Sequence, residues 1–175
     1  MIRVLLGVAL AVALVAVTTP ALEEARASRT ERLTERELDR VGTAVEELAR
    51  EEAPGARRTL TLSLPGDSAT EAPLSFVALG GVPDGASADE RGSVSEADTA
   101  ARDILVFRVA GGRRHVRRVG ADLRVVRGGT GRGVRDGTRS TADSRALVLR
   151  GGATYEVTLR LVRADGRRIV VVAVR

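Results

Sequence analysis

Val4-Leu5-Leu6-Gly7-Val8-Ala9-Leu10-Ala11-Val12-Ala13-Leu14-Val15-Ala16-Val17, followed by Thr18-Thr19-Pro20-Ala21-Leu22, is the stretch on which the fold turns. No charge interrupts the 19 residues from Val4 to Leu22. As a helix they reach about 28 Å, close to the thickness of a bilayer's hydrocarbon core. The competing reading is a secretory signal peptide, with Arg3 as its basic start and small residues at Thr19/Ala21 or Ala25/Ala27 as cleavage sites. Both readings place the rest of the chain outside the cytoplasm. The core helix of a soluble domain is the least favoured, because a wholly apolar run is rarely set at the edge of one. A transmembrane anchor over residues 1–22 is preferred to a signal peptide because of what comes next.

From Ala21 to Glu52 the chain is rich in Ala, Glu, Arg and Leu, has no Pro, and holds a single Gly, Gly42. That composition predicts a helix over residues 23–53, stopped by Pro54-Gly55. Leu38, Val41, Val45 and Leu48 recur at spacings of three, four and three, giving one narrow apolar stripe, whereas Arg26 to Arg32 is polar on nearly all sides. Glu31 and Glu35 beside Arg32 and Arg36 suit a solvated helix surface. Two heptads of stripe fit docking on a domain better than a free coiled-coil stalk. Pro20 predicts a kink or loosening where the membrane segment passes into this amphipathic half.

Residues 57–175 read as β-rich. Thr59 to Leu64 alternates polar and apolar with Leu60, Leu62 and Leu64 inward, and ends at Pro65-Gly66. Leu74 to Leu79 is a shorter strand. Ile104 to Val109 and Arg113 to Val119 form a hairpin about Gly111-Gly112, with Asp122 to Arg127 as a neighbour. Ala146 to Arg150 adds a short strand. Thr154 to Arg163 alternates with Tyr155, Val157, Leu159 and Leu161 on one face, turns at Ala164-Asp165-Gly166, and returns through Ile169 to Val174. The continuously apolar return predicts a central strand. Polar, Gly-rich stretches near 80–103 and 128–144 read as mobile loops. The fold class is therefore α+β, a long N-terminal helix followed by a small, mostly antiparallel β domain.

Composition excludes most chemistry. The 175 residues contain no Cys, Trp, Lys, Asn or Gln, and one His, so disulfides, thiolate metal sites and the N-glycosylation acceptor cannot occur. His115, between Arg114 and Val116, has no partner cluster in sequence and reads as an exposed strand residue. Gly128-Gly129-Thr130-Gly131-Arg132-Gly133 lacks the Lys of a phosphate-binding loop. Glu23-Glu24, Glu46-Glu47 and Glu51-Glu52 are adjacent on a helix and point apart, which defeats paired-carboxylate catalysis. Catalytic residues: none; metal ligands: none; cofactors: none; no small-molecule substrate is evident.

Charge supplies the one alternative. The net charge of +5 divides into −3 for residues 1–56, −4 for 57–103 and +12 for 104–175, and every one of the 28 basic side chains is Arg. The sequence pI of 11.1 belongs to the last part. Arg113, Arg114, Arg117, Arg118 and Arg124 are the candidate anion-binding residues for a polyanion such as wall polymer or lipid head groups. With three aromatics in the chain for base stacking, nucleic acid is the disfavoured partner.

The order of parts from Val4 to Leu48 resembles that of type IV pilins and pseudopilins, with a membrane helix, a Pro near its outer end, and an amphipathic half against a C-terminal sheet. Met1 to Leu5, Thr19-Pro20-Ala21, Glu31 to Glu52 and Arg57 to Gly66 resemble an uncharacterised membrane-protein family of halophilic archaea. These resemblances imply a non-enzymatic, single-pass component of the cell envelope, assembling with protein partners in a pilus or secretion apparatus. Arg3 and the amino terminus predict a cytoplasmic N-terminus.

Overall fold

The computed structural model describes residues 2–83, 102–126, 146–164 and 166–174. One helix, α1 (Ile2–Glu51), spans 50 residues, about 75 Å at the rise of an α-helix. It runs unbroken through Pro20, although proline withholds the N–H that the Ala16 carbonyl would accept. The Thr18 hydroxyl donates to the Leu14 carbonyl at 3.0 Å and the Thr19 hydroxyl to Val15 at 2.7 Å, adding donors on the turn before the proline. The loosening expected at Pro20 therefore does not interrupt the helix. At the other end the Arg168 guanidinium donates to the carbonyls of Arg50 and Glu52, capping the last turn with a cation. Gly55 then turns the chain at φ 101°, a conformation that suits glycine alone.

Eight strands follow: β1 (Arg57–Ser63), β2 (Leu74–Leu79), β3 (Ile104–Val109), β4 (Arg114–Arg118), β5 (Asp122–Val125), β6 (Leu147–Leu149), β7 (Thr154–Ala164) and β8 (Arg167–Val174). They form two four-stranded sheets in the orders β1-β7-β8-β5 and β4-β3-β2-β6. The β3–β4 and β7–β8 hairpins form as their turns predict, and β8 takes the central place its apolar run calls for. β5 departs from expectation. It leaves the β3–β4 hairpin and pairs in parallel with β8, setting Leu123 beside Val170 and Val125 beside Val172. Alternation identifies β5 as a strand but carries nothing about its partner.

The helix joins the two sheets. Leu38, Val41, Val45 and Leu48 of α1 share one core with Leu62, Val157, Leu159, Leu161 and Val170 of the first sheet and Val77, Leu79, Leu105 and Phe107 of the second. A smaller cluster of Ala78, Val82, Ile104, Val106 and Ala146 lies on the reverse of the second sheet. The loops expected near 80–103 and 128–144, and the glycine-rich 128–133, fall almost wholly outside the described residues.

The stripe on α1 begins two turns earlier than its apolar residues suggest. Thr30 and Thr34 are fully buried, so the segment expected to be polar on nearly all sides has a packed side. The reason is hydrogen bonding. Thr30 Oγ1 accepts from the Ala72 amide at 2.8 Å and donates to the Ala72 carbonyl at 3.0 Å, while Thr34 Oγ1 donates to the Thr30 carbonyl at 2.8 Å. One turn before, Arg26 Nη2 reaches Asp67 Oδ1 at 2.9 Å and the carbonyls of Ser68 and Glu71 at 2.6 and 3.0 Å. The β1–β2 connection thus wraps α1 at the point where it enters the domain.

Two expectations follow. Thr30→Val keeps the volume but strands a buried amide and carbonyl, and is expected to cost about 1–3 kcal/mol. Leu48→Ala opens a cavity and costs about 2–5 kcal/mol. Both are read by urea unfolding followed by circular dichroism, with Leu5→Ala, outside the domain, as the control expected to leave the midpoint unchanged; a Thr30→Val midpoint equal to wild type would show that the Ala72 contact does not pin the helix.

Candidate functional site

Two surfaces on α1 stand out. The first is the half that leaves the domain. Every side chain described from Ile2 to Ala25 is exposed, and the most apolar part of the helix has a mean hydropathy of 2.3 with none of it buried. By length and composition α1 can cross a membrane. Its exposed Val4, Leu5, Leu6 and Val8 lie within little more than one turn, so the apolar surface runs around the helix instead of lying along one face. From Leu22 to Arg26, where the domain takes hold, is four residues, about 6 Å of helix.

The second surface is a cleft of about 510 Å³ between α1 and β4. Its floor is Leu38, Leu105 and Phe107, and its rim carries Glu35, Asp39, Arg113, Arg114, His115 and Arg117. Strand alternation builds it. In the β3–β4 register His115 pairs with Phe107 and Arg117 with Leu105, so both lie on the face that meets α1. Arg114, Val116 and Arg118 fall on the reverse face, opposite Arg108, Val106 and Ile104.

His115 is therefore not the exposed strand residue its sequence context suggests. It is about two-thirds covered and stacks on Phe107 with ring centroids 4.6 Å apart and planes 10° from parallel. Its Nε2 lies 3.4 Å from Glu31 Oε1 without forming a directed hydrogen bond, an ion pair whenever the ring is protonated. Arg117 pairs with Asp39 and lies across Gly42, where a Cβ would stand 2.9 Å from its Nε. A lone glycine inside a helix, costing about 1 kcal/mol against alanine, was the available signal for this close approach. Asp39 itself carried no sequence signal.

The five arginines singled out by sequence are not gathered into one patch. Arg113 and Arg117 border the cleft, and Arg117 is engaged by Asp39, whereas Arg114 touches its edge from a strand position that alternation assigns to the reverse face. Arg118 lies on the reverse face, 3.6 Å from Asp103. Arg124 belongs to the other sheet. Among the carboxylate pairs, Glu46 is 3.1 Å from Arg50 and Glu47 is bound by Arg58, so both act as surface ion-pair partners. Among the described residues no three His, Asp or Glu side chains converge as a metal site. Across the cleft Arg117 answers Asp39 and His115 lies beside Glu31, which makes it a latch between α1 and the β4 edge.

No curated protein and no solved structure matches the chain. A family match extends over residues 1–175, taking in the apolar half of α1 together with both sheets. The chain belongs to the DUF7311 family, a domain of unknown function.

Proposed function

We propose that this chain is a non-enzymatic, single-pass membrane protein of the cell envelope, with a cytoplasmic N-terminus and its β domain outside, acting as a pilin-like structural or assembly component. One observation carries the reading. Ten large apolar side chains between Ile2 and Leu22 are exposed, from 57 to 82 %. Burying each is worth about 1.5–3 kcal/mol, a total that rivals the whole stability of a small domain. Because they surround the helix, an apolar medium suits them better than a partner touching one face. The domain's grip at Arg26 and Thr30 then holds it directly at the outer end of the span.

The assembly role rests on the order of parts, a continuous helix whose outer half is packed into a β domain. The kinship with uncharacterised haloarchaeal membrane proteins, read from Arg57 to Gly66 and the absence of Lys, belongs to the same proposal. Its non-enzymatic character rests on composition, with no Cys or Lys and a single His engaged by Phe107 and Glu31. Polyanion capture by Arg113, Arg114, Arg117, Arg118 and Arg124 acting together has less support, because they divide between two sheets and two faces.

The test is the intact mass of the full chain recovered from alkali-washed membranes. The expected result is a pelleted species that retains the residues before Ala21; a soluble species beginning at Leu22 or Ser28 would overturn the anchor and with it the pilin-like reading. Leu10→Arg with Val12→Arg adds about 5–7 kcal/mol to insertion, and is expected to shift the protein to the soluble fraction. Because the chain has no Cys, Thr61→Cys labelled with an impermeant maleimide on whole cells reads the orientation. Labelling is expected; protection until lysis would reverse the topology.

A further inference from the structure

The outer face of the first sheet carries a feature that sequence order hides. Register sets Arg57 of β1 directly opposite Arg160 of β7, Arg160 opposite Val171 of β8, and Val171 beside Arg124 of β5. Three guanidinium groups therefore lie in one row across the sheet. Neighbouring strands are about 4.8 Å apart, which puts the first pair one strand and the second two strands from each other. Like charges directly opposed across strands are destabilising. Among the described residues no acid pairs with them: Asp122 stands two residues from Arg124 on the same face and Glu156 lies opposite Thr61. The Nε atoms of Arg124 and Arg160 are buried and have no acceptor. In the adjoining row the hydroxyls of Thr59 and Thr158 meet at 3.5 Å, adding donors beside the arginines.

We propose that Arg57, Arg160 and Arg124 form a binding site for an oxyanion ligand carrying two or more phosphate or sulfate groups. The two Nε atoms without acceptors and the opposed like charges are both satisfied by one ligand that supplies oxygen acceptors and negative charge along the row. The site lies far from the anchor. Arg58, next to Arg57, pairs with Glu47, and β1 runs back from there toward Arg26. Glu47 is 25 residues beyond Leu22, about 38 Å along the helix. Head groups of the bilayer that holds α1 are therefore out of reach, and the ligand is a soluble or polymeric oxyanion. This site goes beyond the membrane reading and can fail without it.

The experiment titrates tripolyphosphate, and separately inorganic phosphate, into the full chain in neutral nanodiscs at about 50 mM salt, where electrostatic contacts are least screened. Tripolyphosphate is expected to bind and to raise the thermal midpoint, with inorganic phosphate about tenfold weaker because it cannot span the row. Arg160→Thr is expected to weaken tripolyphosphate about tenfold, Arg57→Thr and Arg124→Thr about threefold each, and Arg118→Ser less than twofold. The ligand-free midpoint of Arg160→Thr should equal or exceed wild type, since a repulsion is removed, which separates lost binding from lost folding. Equal losses for Arg118→Ser and Arg160→Thr, equal affinity for the two probes, or no binding would overturn the site. Tighter association with phosphatidylserine vesicles than with tripolyphosphate, lost in Arg160→Thr, would overturn the soluble source.

Discussion

The burial of Leu38, Val41, Val45 and Leu48 of α1 against the inner faces of both sheets is what makes one domain out of two. Neither four-stranded sheet could hide its apolar face from water without a second layer, and the helix supplies that layer to both at once. The polar contacts follow the same docking. The cation cap from Arg168, the Arg58–Glu47 pair, the Asp39–Arg117 pair and the Thr30–Ala72 hydrogen bonds are all made possible by the line α1 takes through the core. Exposed ion pairs add little by themselves. Their part is to fix the rotation and height of a helix that apolar packing alone would hold less specifically.

One helix thereby serves two environments. Its second half packs one side into the protein and turns the other to water, and its first half presents an apolar surface on all sides that no part of the described domain covers. Because it passes through Pro20 without interruption, and because the domain grips it from Arg26 onward, there is little slack between the two halves. A force or displacement applied to the apolar half would reach the core through packed side chains rather than through a linker. That mechanical continuity is what the assembly reading uses.

Arginine does three different things in this chain, and register decides which. On the strand face that meets α1, Arg117 finds Asp39 and the notch at Gly42. On the reverse face of the same strand, Arg118 lies near Asp103. Across the other sheet, Arg57, Arg160 and Arg124 fall in one row, paired with no acid among the described residues. Counting charges along the chain found the basic C-terminal part but could not sort it, since residues 57 and 160 become neighbours only when β1 pairs with β7.

Local chemistry determined much of the rest. The uncharged run from Val4 to Leu22, the helix ended by Pro54-Gly55, the alternation in Thr59 to Leu64 and Thr154 to Arg163, and the turn glycines are short-range signals, and each yields the element it announces. Tertiary structure decided the partner of β5, the division into two sheets, the burial of Thr30 and Thr34, the stacking of His115 on Phe107 and the row of arginines. The physical reason is one of range. Side-chain periodicity says which face of an element seeks burial, but which strand lies alongside, and whether a hydroxyl or a charge meets an acceptor there, is set by contacts between residues distant in the chain.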